Sequence, residues 1–188
     1  MSCIAICGDS ASGKSTMAEL LAKELGNTTI LECDRYHKWE RKSHHWISEY
    51  THLNTNANHL DLLKQDVIAL KNGFSIFRPD YDHSTGTFTE SREVKPNHNL
   101  IVVGLHTLIH PELYDIKIFM DTSVNLKIQW KFARDMNKRG YTYEQVRQQI
   151  EKRRNDYETY IAPLKKNANI ISNGCDYDDM ILKCKTLL

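Results

Sequence analysis

The chain has 188 residues, 40% of them apolar, with 25 Lys and Arg against 24 Asp and Glu and a net charge of +1. This size suits one compact domain, residues 1–188, whose core folds without staples. The balanced charge gives no global field for a nucleic acid or a membrane surface.

In chain order, Cys3 to Cys7 is a short apolar run followed by glycine, which predicts a buried parallel strand and is too short for a signal peptide or membrane span. From Ser15 to Leu25 apolar residues recur at helical spacing, and Gly26-Asn27 supplies a stop. Thr29 to Cys33 reads as a second strand. Asp34 to His52 is polar, aromatic-rich and without a clear period, as expected of a substrate loop with a helical piece. A helix is predicted over His59 to Asn72 with Asn58 as its N-cap. Ser75 to Val94 alternates around Ser84-Thr85-Gly86-Thr87, a β-hairpin pattern. Two further buried strands follow at Leu100 to Leu105 and Asp115 to Met120.

Ser123 to Arg139 is a basic amphipathic helix closed by Gly140, and Thr142-x-x-Gln145 is a capping box for a helix reaching about Tyr160. A short strand at Ala168 to Ser172 and a helix at Asp176 to Lys185 complete the pattern. Strands alternating with helices predict an α/β layered fold with ligands beyond the carboxyl ends of the strands. The five cysteines, at positions 3, 7, 33, 175 and 184, lack CxxC spacing and read as reduced, mostly buried thiols of a cytoplasmic protein.

Gly8-Asp9-Ser10-Ala11-Ser12-Gly13-Lys14-Ser15 matches G-x-x-x-x-G-K-[ST] directly between a predicted strand and a predicted helix, the context this phosphate loop requires. Glycines let the backbone wrap phosphate oxygens, and the helix N-terminus favours the anion. Lys14 is expected to bridge the β- and γ-phosphates and Ser15 to ligate magnesium, with Thr16 next to them in the first helical turn. Alone, the motif leaves ATPase, GTPase and small-molecule kinase open.

Asp34 ends the second strand, where a carboxylate reaches the γ-phosphate region and can accept a hydroxyl proton; the plainer reading is a helix N-cap. The run Asp34-Arg35-Tyr36-His37-Lys38-Trp39-Glu40-Arg41 resembles the segment after the phosphate loop in the phosphoribulokinase/uridine kinase family. Pro79-Asp80-Tyr81-Asp82-His83-Ser84-Thr85-Gly86 is similar to that family's hairpin, Gly104-Leu105-His106 to its post-strand turn, and Lys131-x-x-Arg134-Asp135-x-x-x-Arg139-Gly140 to its lid helix. The matches run in order from residue 4 to about residue 172.

The resemblance implies a P-loop three-layer fold with a parallel sheet core and an inserted β-hairpin. It makes Asp34 the catalytic base and a magnesium neighbour. His37, Arg41, Asn54, Tyr81 and His83 face the acceptor, His83 standing equally well as an ordinary hairpin residue. Lys131, Arg134 and Arg139 form a lid over the transferring phosphate, Arg139 on the nucleotide side. ATP and Mg2+ are the implied cofactors. The acceptor is a small pentose-containing molecule, a uridine- or cytidine-type nucleoside or a sugar phosphate like ribulose 5-phosphate. The oligomeric state is open between monomer and homo-oligomer.

Two departures stand out. The family usually carries a glutamate just before Gly104 that helps hold magnesium, and this chain has Val103, leaving water or Glu32 to complete the shell. Asn54 stands where relatives often have an aspartate. They motivate a second reading, a nucleotide-binding member with impaired transfer. The nine histidines form no H-E-x-x-H motif, Thr107 taking the glutamate's place after His106, and His44-His45 read as loop residues.

Overall fold

The apolar run at the N-terminus is buried as predicted: β1 (Ser2–Gly8) has five consecutive side chains, Cys3 to Cys7, with no exposed surface. Such a strand must be covered on both faces, which a parallel sheet between helical layers achieves. The computed structural model covers residues 1 to 188 and describes them all except the side chains of Ile47, Lys138 and Arg139. Among the described residues the other strands are β2 (Thr28–Glu32), β3 (Ile76–Asp82), β4 (Thr87–Val94), β5 (Asn99–Gly104), β6 (Ile116–Met120) and β7 (Ile170–Ser172). The helices are α1 (Lys14–Leu25), α2 (Leu60–Lys71), α3 (Val124–Arg139), α4 (Tyr143–Asp156) and α5 (Tyr177–Leu187).

Five strands form one parallel sheet in the order β2-β5-β1-β6-β7, while β3 and β4 form a separate antiparallel hairpin. One face of the sheet packs Ile4, Ile6, Ile101 and Val103 on Met17, Ala18 and Leu21 of α1 and Met180 and Cys184 of α5. The other packs Cys3, Ala5, Leu100 and Val102 on Leu63, Val67 and Leu70 of α2. Each fully buried aliphatic side chain contributes roughly 1.5 to 3 kcal/mol. The three layers make a P-loop fold with an inserted hairpin, as expected.

The expected elements appear within a few residues of their predicted ends, including the capping box of Thr142 and Gln145. The helix read as reaching Tyr160 ends at Asp156 and passes into a wider π turn, Tyr157–Ile161. The predicted cap Asn58 is a correction. His59 occupies the N-cap of α2 without a side-chain bond, because Asn58 spends its amide elsewhere: Nδ2 donates to the His52 and Asn54 carbonyls and Oδ1 bonds His37. Four of the five cysteines are buried and none is paired. No described helix is long and apolar enough to cross a membrane.

Candidate active site

The carboxyl ends of β1, β2 and β5 open onto a cleft of about 780 Å3. Its floor is the phosphate loop between β1 and α1. Gly13 caps α1 at φ 89, a left-handed conformation that favours glycine, and a Cβ there would also displace the Tyr177 hydroxyl, 2.3 Å away. Ala11 also takes a positive φ, 60. Left-handed residues of this kind let successive N–H groups converge on one anion. Ser12 is fully buried, and its hydroxyl has no hydrogen-bond partner among the described residues, an orphaned donor in the wall of an anion cradle.

Lys14 folds back so that its ammonium donates to the Asp9 carbonyl. Burial lowers its pKa to about 8, although the charges of Asp9 and Asp34 oppose the fall. Asp9 itself is gripped from two helices, by Lys127 of α3 at 3.1 Å and Arg153 of α4 at 3.5 Å. Burial pushes the Asp9 carboxyl up, but these two cations outweigh it and hold it low.

The opposite wall is made of side chains. After β2 the chain turns through a short 3-10 segment, Cys33–Tyr36, pressed against the end of β5. A Cβ on Gly104 would meet the Cys33 Cβ at 2.3 Å, so the glycine admits the turn that carries Asp34. His83 Nε2 lies 3.0 Å from Asp34 Oδ2, and His37 Nε2 lies 3.4 Å from Oδ1. Burial pushes the Asp34 carboxyl up, but the His83 hydrogen bond and the histidine charges outweigh it and hold it far below the usual carboxylate range. His37 is oriented by Asn58: its Nδ1 donates to Asn58 Oδ1 at 2.8 Å. Its ring packs edge-on against Trp46 and Tyr81 at 4.7 and 5.1 Å.

Arg41 ties this wall together, its backbone N–H donating to the Gly86 carbonyl at 2.8 Å and its guanidinium to the His83 carbonyl. Arg35 pairs with Asp80 and donates to the Arg78 and Pro79 carbonyls, which fastens the hairpin to the Asp34 turn.

Above the floor stands α3. Lys131 donates to Asp135 at 2.6 Å, and Arg134 donates to Asp135 at 2.8 Å and to the Ser10 hydroxyl at 3.2 Å. Burial lowers Lys131 to about 8, with the charge of Arg153 adding to the fall against Asp135. Both residues line the cleft.

The structure thus brings together Ser10 to Thr16, Asp34, His37, Arg41, Tyr81, His83, Lys131 and Arg134 around one cavity, with Gly8 and Asp9 just beneath it. Asn54 is not among the lining residues: its side chain accepts from the Asn56 N–H and donates to the Tyr160 hydroxyl. The side chain of Arg139 lies outside the described residues. Sequence reading missed Lys127, Arg153 and the His83 contact with Asp34. Val146 and Arg153 are the buried residues of α4, two turns apart on one face.

A phosphate loop feeding a helix from the end of a central parallel strand defines a P-loop nucleotide-binding protein. The chain belongs to the Phosphoribulokinase / Uridine kinase family, whose model matches residues 3–180. It is 36% identical over 173 residues to a phosphoribulokinase of Synechocystis sp., covering 89% of this chain and 52% of that protein. It is 34% identical over 202 residues to a uridine kinase of Clostridium perfringens, covering 98% of this chain and 95% of that protein. The chain therefore spans about half the length of the phosphoribulokinase it matches and nearly all of the uridine kinase. The phosphoribulokinase structure from Rhodobacter spheroides shares the fold, with a TM-score of 0.72 at 24% identity over 90% of this chain and 68% of that one.

Proposed function

We propose that the protein is a cytoplasmic phosphotransferase that moves the γ-phosphate of ATP onto a hydroxyl of a small pentose-containing acceptor, a nucleoside or a sugar phosphate. One observation carries this reading: Asp34 and Lys14 line the same cleft, Asp34 on the turn after β2 and Lys14 at the start of α1. A base and a phosphate cradle on facing walls are what transfer to a hydroxyl needs, since this chemistry rests on positioning and charge.

Lys14, Ser12 and the loop backbone hold the phosphates. Asp34 stays ionised between His37 and His83, orients the acceptor hydroxyl and takes its proton as the oxygen attacks. Lys131 and Arg134 face the transferring group from α3 and offset its charge, while Trp46, Tyr81 and Arg41 close the acceptor side against water. The hard oxygen donors that meet across the cleft, the Ser15 hydroxyl from the floor and the carboxylates of Glu32 and Asp34 from the facing wall, fit magnesium. Magnesium in nucleotide sites takes one or two protein oxygens and completes its shell with phosphates and water. Bound there, magnesium supplies countercharge to the triphosphate.

The test is mass spectrometry of small molecules after incubation with ATP-Mg and, in parallel, uridine, cytidine, ribulose 5-phosphate and other pentose derivatives. An acceptor heavier by one phosphoryl group is the expected result. ATP turnover with every acceptor unmodified would refute the assignment.

A further inference from the structure

We infer that Glu32, on the second strand, is the carboxylate that holds the divalent cation of the nucleotide, leaving Asp34 to the proton. This inference rests on the phosphotransferase reading above.

In the parallel pairing of β2 with β5, Glu32 is the direct partner of Val103. Paired residues of neighbouring strands project to the same face. Val103 packs on the α1 side of the sheet, so Glu32 stands on that side too, at the strand end, beside the first turn of α1. Ser15, Glu32 and Val103 accordingly line the main cleft together, and the same three border a smaller adjoining cavity of about 250 Å3. The hydroxyl of the phosphate-loop serine and the Glu32 carboxylate thus face one space, while the residue between Glu32 and the rest of the sheet offers only methyl groups.

Availability separates the two carboxylates. Both oxygens of Asp34 are already approached by histidine nitrogens, Oδ2 by His83 and Oδ1 by His37. A cation on Asp34 would compete with the His83 contact at Oδ2 and would spend the lone pairs a base needs. Asp80, also in the smaller cavity, is taken by Arg35 and Arg92. Glu32 has neither a hydrogen bond nor an ion pair with any described residue, so its oxygens are open to a cation bridging it to Ser15. Glu19 is the other acidic side chain in this wall. It sits one turn along α1 from Ser15 and serves as the control.

The experiment measures metal uptake without turnover, by the electron paramagnetic resonance of free Mn2+ titrated into the 188-residue chain with a non-hydrolysable ATP analogue. Glu32→Gln should raise the Mn2+ dissociation constant of the ternary complex about tenfold or more, while the metal-free affinity for the analogue stays level or tightens. Glu19→Gln should change the metal constant by less than about twofold, and Glu32→Asp should fall between. The double variant Glu32→Gln with Val103→Glu, returned to the same face one strand over, should recover much of the loss provided circular dichroism shows it folded. Glu32→Gln within about twofold of the original overturns the inference, and being an exposed single substitution it does not depend on the double variant folding. A chain that binds the analogue but gains no Mn2+ site also overturns it and leaves the phosphate loop standing. A chain that fails to bind the analogue overturns both readings.

Discussion

The floor and the acceptor wall of the cleft are built in opposite ways. The floor is eight consecutive residues, Gly8 to Ser15, whose backbone shapes the cradle and which two elements touch directly, β1 and α1. The acceptor wall is side chains drawn from separate stretches, with Asp34 and His37 on the turn after β2, Asn58 before α2 and His83 at the end of the hairpin. A backbone cradle is specified by glycine positions and tolerates change elsewhere. A side-chain wall depends on each long-range contact, so it is the part free to vary with the acceptor. The chain should therefore lose everything when the floor is damaged and lose only one property at a time when the wall is.

The largest effect is expected at the floor. Lys14→Ala removes the buried cation facing the phosphates, so transfer should fall below detection and triphosphate affinity should drop sharply; equilibrium binding of ATP alongside a rate assay checks both. Retained turnover would mean that the loop is no phosphate site.

On the wall, Arg41→Ala should raise KM for a phosphorylated sugar by roughly 10- to 100-fold and for an uncharged nucleoside by only a few-fold, because only the former needs a cationic fork. Equal shifts for the two acceptors would remove Arg41 from phosphate recognition.

A smaller, pH-dependent effect belongs to Lys131. Its pKa is lowered to about 8 by burial first. Below that pH the ammonium is charged and can meet the transferring phosphate, and above it the charge is lost. The profile of kcat/KM, which reports free-enzyme groups, should fall above about 8 with both Lys131 and Lys14 losing charge, and Lys131→Arg should make that alkaline limb shallower by removing one of the two ionisations. Smallest of all, His83→Gln keeps a hydrogen-bond donor toward Asp34 while removing the ring, and the rate should fall only about 3- to 10-fold. A loss as large as that of the base itself would make His83 a direct participant.

The same contrast governs what could be read from the amino acids. The phosphate loop and the strand and helix beside it were legible because their signal is contiguous: an apolar run, two glycines, a lysine and a helical stripe lie within 25 residues. Asp34 was legible through its place at a strand end. The supporting contacts were not, since His83 lies 49 positions from Asp34 and local pattern carries no trace of that pairing. Asn58 shows the reverse error. Its position before α2 looks like a cap, yet the buried imidazole of His37 needs an oriented partner, and the amide serves that demand and two carbonyls instead. Arg153 was hidden by composition, because α4 is so rich in charge that one buried arginine among solvated ones has no local mark. Asn54 was assigned to the acceptor through the resemblance, but a short turn that needs a cap and the Tyr160 hydroxyl claim its amide.

The central claim is that the two walls do separable work within one cleft, and Asp34→Asn tests it most directly. The substitution keeps the side chain's shape and one acceptor oxygen while removing the carboxylate proposed as the base. ATP affinity, measured by calorimetry on the folded variant, should stay within about twofold, while the single-turnover rate of phosphoryl transfer to the acceptor should fall by roughly two to four orders of magnitude. A rate within a few-fold of the original, or a loss of ATP binding that accounts for the whole defect, would contradict the account.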